Sequence, residues 1–239
     1  MSESINFEVI EDTDKELDDE AADILVDICQ DSFSREGMPD KEDAEEHIKS
    51  VSKLLIAVDG ESDEPVGFSS SLMLENDEDY LIQHGLAVDR DYQGERLGEI
   101  LVDLVTLAST DADDVWLGGR TQSEFYINYI HNRYGFPRKV DTPEFFEEPL
   151  EEFKDFFPSK GSENHILFDT YESPNYSDED IIEMTKNIQE FVNDKYNPYN
   201  GDGILALTHI SLDKIWENYL SNKQKSEFKI TFENFDKAL

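Results

Sequence analysis

The sequence predicts an α+β fold, and three observations carry that expectation. Apolar runs of strand length, at 53–58, 66–74 and 80–88, lie between turn-forming stretches. Two other segments, 21–33 and 98–108, carry apolar residues at helical spacing. Breakers follow the helical segments, with Gly37 and Pro39 after the first and Gly135 and Pro137 after a later one.

Taken in order, Ile5, Phe7 and Val9 alternate with polar residues and predict a first strand. The acidic run 11–20 suits a helix start, and Ala21, Ile24, Leu25, Ile28 and Phe33 give a helix its apolar stripe. Asp40 is placed to cap a second helix carrying Ala44, Ile48 and Val51. The runs KLLIAV (53–58) and 66–74 flank the turn DGESDEP and predict a hairpin, and Tyr80 to Val88 predicts a further strand. Ile100, Leu101, Leu104, Val105 and Ala108 then give a helix, Val115 to Leu117 a strand, and Ser123 the cap of a helix reaching about Tyr134. The order is β-α-α-β-β-β-α-β-α.

Beyond Asp141 the pattern weakens into an aromatic and acidic stretch. A strand is expected at His165 to Tyr171, and a helix at Asp178 to Tyr196 capped by Ser177. The linker NPYNGDG precedes a strand from Ile204, a helix from Leu212 to Leu220, and an alternating strand through Phe228, Ile230 and Phe232. Two domains are therefore expected, 1–150 and a C-terminal extension over 151–239. The last part of that extension either forms a small appended β-α-β unit or completes the sheet of the first domain.

Fifty-seven Asp and Glu against 20 Lys and Arg give a formal charge of −37, which repels nucleic-acid phosphates and anionic lipid alike. Neither nucleic acid nor membrane is expected as a partner. The carboxylates are spread along the chain, so they read as a solvated surface rather than a docking patch. Self-repulsion of this size is screened over about 10 Å in 0.1 M salt but over roughly 3 Å in molar salt, which points to a halophilic, salt-rich cytoplasm. Cys29 is the single cysteine, on an apolar helix face, so no internal disulfide is expected. The N-terminus has no secretory pattern, and no run approaches about 18 apolar residues, so a cytoplasmic location is expected.

The chemistry is concentrated in LAVDRDYQGERLGEIL, residues 86–101, a strand followed by a polar turn and a glycine-bearing helix entry. Main-chain N–H groups in such a turn, beside the positive end of a helix dipole, hold phosphate. Gly94 and Gly98 allow close approach and a tight turn, and Arg96 can add a charge-assisted contact.

Gln93, Gly94, Glu95, Arg96, Leu97 and Gly98, preceded by Leu86, Ala87, Val88 and Tyr92, resemble the acetyl-CoA motif of the GNAT superfamily, Q/R-x-x-G-x-G/A. Arg96 stands where that motif has its central glycine. Downstream, 125–136 (FYINYIHNRYGF) is similar to the superfamily's late helix, with Gly135 and Phe136 matching. The resemblance covers about Ile5 to Val140. It implies a three-layer arrangement with a mixed, mostly antiparallel central sheet flanked by helices. It also implies direct attack of an amine on acetyl-CoA, with the pyrophosphate on 93–98 and the pantetheine along Leu86, Ala87 and Val88.

In family members the tyrosine four residues before the late glycine can protonate the departing thiolate. His131 holds that position here, with Tyr129 and Tyr134 as alternatives, Tyr134 ranking behind His131. His84, in the string HGLAV, is similar to a strand histidine of serotonin N-acetyltransferase-like members and is the expected base; the alternative is a structural histidine, since geometry decides such roles. Gln83 is expected on the opposite face of the strand. Arg120 and Glu124 read as exposed charges, and Ser69 to Ser71 lack a nucleophile elbow. His47, His165 and His209 are too scattered for a metal site, so no metal is expected. The expected partner is an amine acceptor, a small molecule or a protein amine, with a homodimer left open. The competing reading is a non-catalytic acyl-CoA-binding regulatory domain with a partner-binding tail.

Overall fold

The computed structural model describes residues 4–10, 19–33, 42, 46, 50–74, 80–132, 144–157, 159–163, 165–168, 182, 185–189, 191–192, 195–200 and 202–231. Among them the strands are β1 (Ser4–Ile10), β2 (Lys53–Asp59), β3 (Pro65–Leu74), β4 (Tyr80–Val88), β5 (Asp114–Thr121), β6 (Gly161–Glu163), β7 (Ile166–Phe168), β8 (Gly203–Ser211) and β9 (Lys229–Thr231). The helices are α1 (Asp19–Phe33), α2 (Leu97–Ser109), α3 (Glu124–His131), α4 (Glu147–Phe156) and α5 (Leu212–Lys225). Two contact units result, Met1–Val115 with Ser211–Leu239, and Trp116–Ile210.

In the first unit the strands run in the order β9-β1-β2-β3-β4. The β1–β2, β2–β3 and β3–β4 pairs are antiparallel, whereas β9 lies parallel to β1. The sheet is thus mixed and mostly antiparallel. The run KLLIAV is continuously apolar because both faces of β2 are covered. Leu55 and Ala57 join a core with Ile100, Leu101, Leu104 and Val105 of α2. Leu54, Ile56 and Val58 face Leu25, Ile28 and Cys29 of α1. Helices on both faces of one sheet make three layers, each fully buried Leu or Ile contributing roughly 1.5–3 kcal/mol. Gly67 lets α2 sit close to the sheet, since a Cβ there would lie 3.1 Å from the Ala87 carbonyl oxygen and 3.3 Å from Leu101 Cδ1.

The last part of the chain belongs to this same unit. Tyr219 of α5, Phe228 and Ile230 enter the core of α2, and β9 extends the sheet beyond β1. Of the two alternatives for 204–232, residues from Ser211 onward complete the sheet of the first unit, while β8 lies in the second. The contact units and the expected domains, 1–150 and 151–239, are therefore divided at different residues.

In the second unit the order is β6-β7-β8-β5, with β6–β7 and β7–β8 antiparallel. Its core gathers Ile127, Ile166, Ile188, Phe191, Tyr196 and Ile204. Helix α4 arises in the stretch where no element is expected. Its Pro149 lies in the first turn, where proline is tolerated, and Leu150 and Phe153 form the buried stripe. Phe153 stands against Gly118, where a Cβ would fall 2.7 Å from Phe153 Cε1 and 2.9 Å from Leu207 Cβ. Of the expected helix 40–51 only residues 42, 46, 50 and 51 are described; of the expected helix 178–196 about half is, with 182 and 185–187 helical and 188–189 in a turn.

Candidate functional site

Strand β4 is irregular at the expected base. Ser70 pairs with Gly85 and Ser71 with Gln83, so His84 is an extra residue on β4, a bulge in the ladder. His84 is half-buried. The bulge breaks the simple alternation from which Gln83 is expected to face away. Gln83 is buried, and its Nε2 reaches Ser69 Oγ at 3.0 Å, the Ser70 carbonyl at 3.1 Å and the Gly85 carbonyl at 2.6 Å. One carboxamide thus spans the irregular segment. Ser69, Ser70 and Ser71, for which no role is expected, are fully buried, and Ser71 Oγ bonds Ser109 Oγ of α2 at 2.7 Å.

After Val88 the chain turns through a 3-10 segment, Arg90–Tyr92, capped by the Asp89 side chain accepting from the Asp91 amide. Gln93 Nε2 donates back to the Val88 carbonyl at 2.8 Å, closing the turn on the strand end. Gly94 has φ +87°, and among the described residues nothing lies within 4 Å of where its Cβ would be. The backbone there is open to an approaching ligand. Tyr92 anchors the turn from below: its hydroxyl donates to Asp59 Oδ2 at 3.1 Å and its ring lies 5.8 Å from Phe228.

Arg96 is the N-cap of α2 and has φ 67° and ψ 10°. This left-handed conformation costs a non-glycine residue about 1–2 kcal/mol, so Arg96 holds a backbone geometry that glycine adopts more readily. The first intrahelical bond is Ile100 N to the Arg96 carbonyl at 3.1 Å. The amides of Leu97, Gly98 and Glu99 therefore have no acceptor within the helix and project from its positive end. Outward-facing amides of this kind are able to receive an anion. The Arg96 guanidinium is engaged within the protein: Nη1 donates to Glu99 Oε1 at 3.3 Å and to Asn222 Oδ1 of α5 at 3.2 Å. Sequence reasoning gave Asn222 no role. Its signal was a polar residue on the stripe Ile215, Tyr219, Asn222, which is buried.

Asp59, at the end of β2, accepts from the amides of Ser62 at 2.7 Å and Glu61 at 2.9 Å. These bonds, the Ser62 amide foremost, with help from the Ser62 and Tyr92 hydroxyls, hold its carboxyl below the usual carboxylate range against an opposing burial effect.

Leu86, Ala87 and Val88 pair with Ser69, Phe68 and Gly67 of β3, so the expected pantetheine strand runs directly into the loop. His131 ends α3 in the second unit, where its ring stands edge-on to Phe191 with centroids 5.1 Å apart. Tyr134, with Gly135 and Phe136, lies outside the described residues. Burial pushes the Cys29 thiol up to about 12, which makes it inert. Among the described residues, no group of three or more His, Cys, Asp or Glu is arranged to hold a metal ion, and no helix is long and apolar enough to cross a membrane.

Residues 19–126 match the Acetyltransferase (GNAT) family model. No curated protein matches the sequence. Among solved structures, NAA60 of Arabidopsis thaliana in complex with a bisubstrate analogue is similar at 18% identity, covering 58% of this chain and 86% of that one, with a TM-score of 0.40. A Bacillus subtilis acetyltransferase in complex with CoA is similar at 14% identity, covering 87% of this chain and 99% of that one, with a TM-score of 0.43. A GNAT-family acetyltransferase of Staphylococcus aureus is similar at 20% identity over 59% of this chain and 91% of that one, with a TM-score of 0.38. The segment that is similar to this family contains the bulged strand, the 93–98 loop and α2.

Proposed function

We propose that the protein is an N-acetyltransferase that moves an acetyl group from acetyl-CoA to a primary amine by direct attack. The observation that supports it most is the loop itself. Two left-handed residues, Gly94 and Arg96, aim the chain so that the first-turn amides of α2 face outward at the end of a bulged strand. That arrangement suits a pyrophosphate and needs no metal ion.

When bound, the thioester supplies the acetyl group. The protein residues hold it in line with the amine, a contribution worth about 7–11 kcal/mol in favourable cases. The proposed roles follow the sequence reading. Leu86, Ala87 and Val88 hold the pantetheine, and Gln93, Gly94, Glu95, Arg96, Leu97 and Gly98 hold the phosphates. A backbone N–H of β4 polarises the carbonyl, which the bulge favours by lifting one residue out of the β3 ladder. His84, half-buried at that bulge, accepts one proton from the ammonium so that its lone pair can form the C–N bond; as the C–S bond breaks, the nitrogen's remaining extra proton leaves to solvent. The thiolate then takes a proton from His131 or Tyr134. We place the protein in a salt-rich cytoplasm, as its charge of −37 suits.

Calorimetry with coenzyme A in concentrated KCl tests the binding step, and thiol release from acetyl-CoA over a panel of amines tests transfer. Micromolar binding with turnover on at least one amine is expected. Absence of coenzyme affinity in a folded sample would remove the enzymatic reading, and tight binding without turnover on any amine would favour the regulatory domain. His84→Ala should lower kcat at least about a hundredfold, the usual worth of a general base, with coenzyme affinity little changed.

A further inference from the structure

We infer that Asn222, on the C-terminal helix α5, is a positioning residue for the coenzyme loop and acts through Arg96. The inference rests on the coenzyme reading of 93–98 and adds a residue more than a hundred positions away. Three observations carry it.

First, Asn222 occupies an apolar position. Ile215, Tyr219 and Asn222 form the buried stripe of α5, and Asn222 is 5% exposed. A polar side chain there is costly unless both ends of its amide are used. Its Nδ2 donates to Asp103 Oδ2 of α2 at 3.3 Å, and its Oδ1 accepts from Arg96 Nη1 at 3.2 Å. The acceptor partner at one end fixes which atom faces the other: with Nδ2 committed to a fully buried carboxylate, Oδ1 must face the guanidinium.

Second, Arg96 needs restraint. A non-glycine residue at φ 67° returns to ordinary backbone space unless its surroundings hold it. Glu99 and Asn222 both accept from Arg96 Nη1, and Glu99 lies on the same helix turn, so among the described residues it is Asn222 that ties Arg96 to another element. Third, the same C-terminal segment also braces the other half of the loop, where Phe228 lies against Tyr92. The segment from α5 to β9 thus supports the loop at both Tyr92 and Arg96.

The test is a double-mutant cycle in the full chain, with coenzyme A as the probe in concentrated KCl and thermal midpoints recorded in parallel. Asn222→Ala should weaken coenzyme binding about tenfold, as expected for a lost hydrogen bond to a charged group, and raise the KM for acetyl-CoA with kcat at saturation nearly unchanged. In the Arg96→Gly background, where glycine adopts the left-handed conformation unaided, adding Asn222→Ala should produce no further weakening. Asn222→Asp keeps the acceptor facing Arg96 but loses the donor to Asp103. It should retain coenzyme affinity while lowering the thermal midpoint, and it stands in if the alanine variant does not fold.

Equal weakening by Asn222→Ala in both backgrounds, loss of affinity in Asn222→Asp, or a fall in kcat alone would overturn the inference. Those results leave the coenzyme reading intact. A wild-type chain that does not bind coenzyme A removes that reading and the inference together.

Discussion

A single carboxylate can decide the shape of a turn. Asp59 gathers two amides and the Tyr92 hydroxyl, so it joins the β2–β3 turn to the start of the 93–98 loop. Its carboxyl is held below the usual range, so the unfolded chain binds the proton more readily than the folded one. The stability that Asp59 contributes is therefore fully present above the ordinary carboxylate range and is lost as pH falls through its lowered value. We expect Asp59→Asn to lower the thermal midpoint near neutral pH and the gap from wild type to close below about pH 4. A gap that persists or widens on acidification would mean the charge is not what matters. Asp59 itself was not legible as special, because its partners come from a turn whose geometry the sequence signals only as flexible.

Element by element, legibility followed the strength of local pattern. The runs of β2 and β4 and the stripe of α2 were readable because burial on two faces, or on one helix face, imposes a period that neighbours cannot disguise. The bulge at His84 was not readable. It is a relation between two strands, set by the Gln83 carboxamide across β3 and β4, and no single strand records it. Helix α4 was hidden by Pro149 and by the acidic residues that outnumber its apolar stripe. The turn from Gln93 to Gly98 was legible as a motif, but its support was not, because Asn222 and Phe228 come from a remote segment.

The β5–α4 packing carries a prediction at this scale. Gly118→Ala would drive a Cβ into the Phe153 ring at 2.7 Å and Leu207 at 2.9 Å. Overpacking of this kind costs about 1–3 kcal/mol, and because Leu207 Cβ is backbone-tethered the loss should fall at the upper end. Urea unfolding followed by tryptophan fluorescence will report it, and a change below about 0.5 kcal/mol would show that α4 yields freely.

For the whole molecule, charge is the governing quantity. At −37 the chain repels itself at every approach, and screening shortens that repulsion from about 10 Å to about 3 Å between 0.1 M and 1 M salt. The thermal midpoint should therefore climb steadily with KCl, most steeply at low concentration where screening changes fastest. Sucrose at matched osmolality should raise it far less. A midpoint insensitive to KCl would separate the acidic composition from any stability role.

The parallel pairing of β9 with β1 has a consequence for biosynthesis. Residues 229–231 reach the ribosomal exit long after β1 has emerged, so one edge of the first unit stays bare through most of translation. The intervening stretch 116–210 is complete before that edge can be covered. A nascent chain stalled before α5 would therefore present an unprotected strand beside an open helix face, the kind of surface on which holding chaperones act.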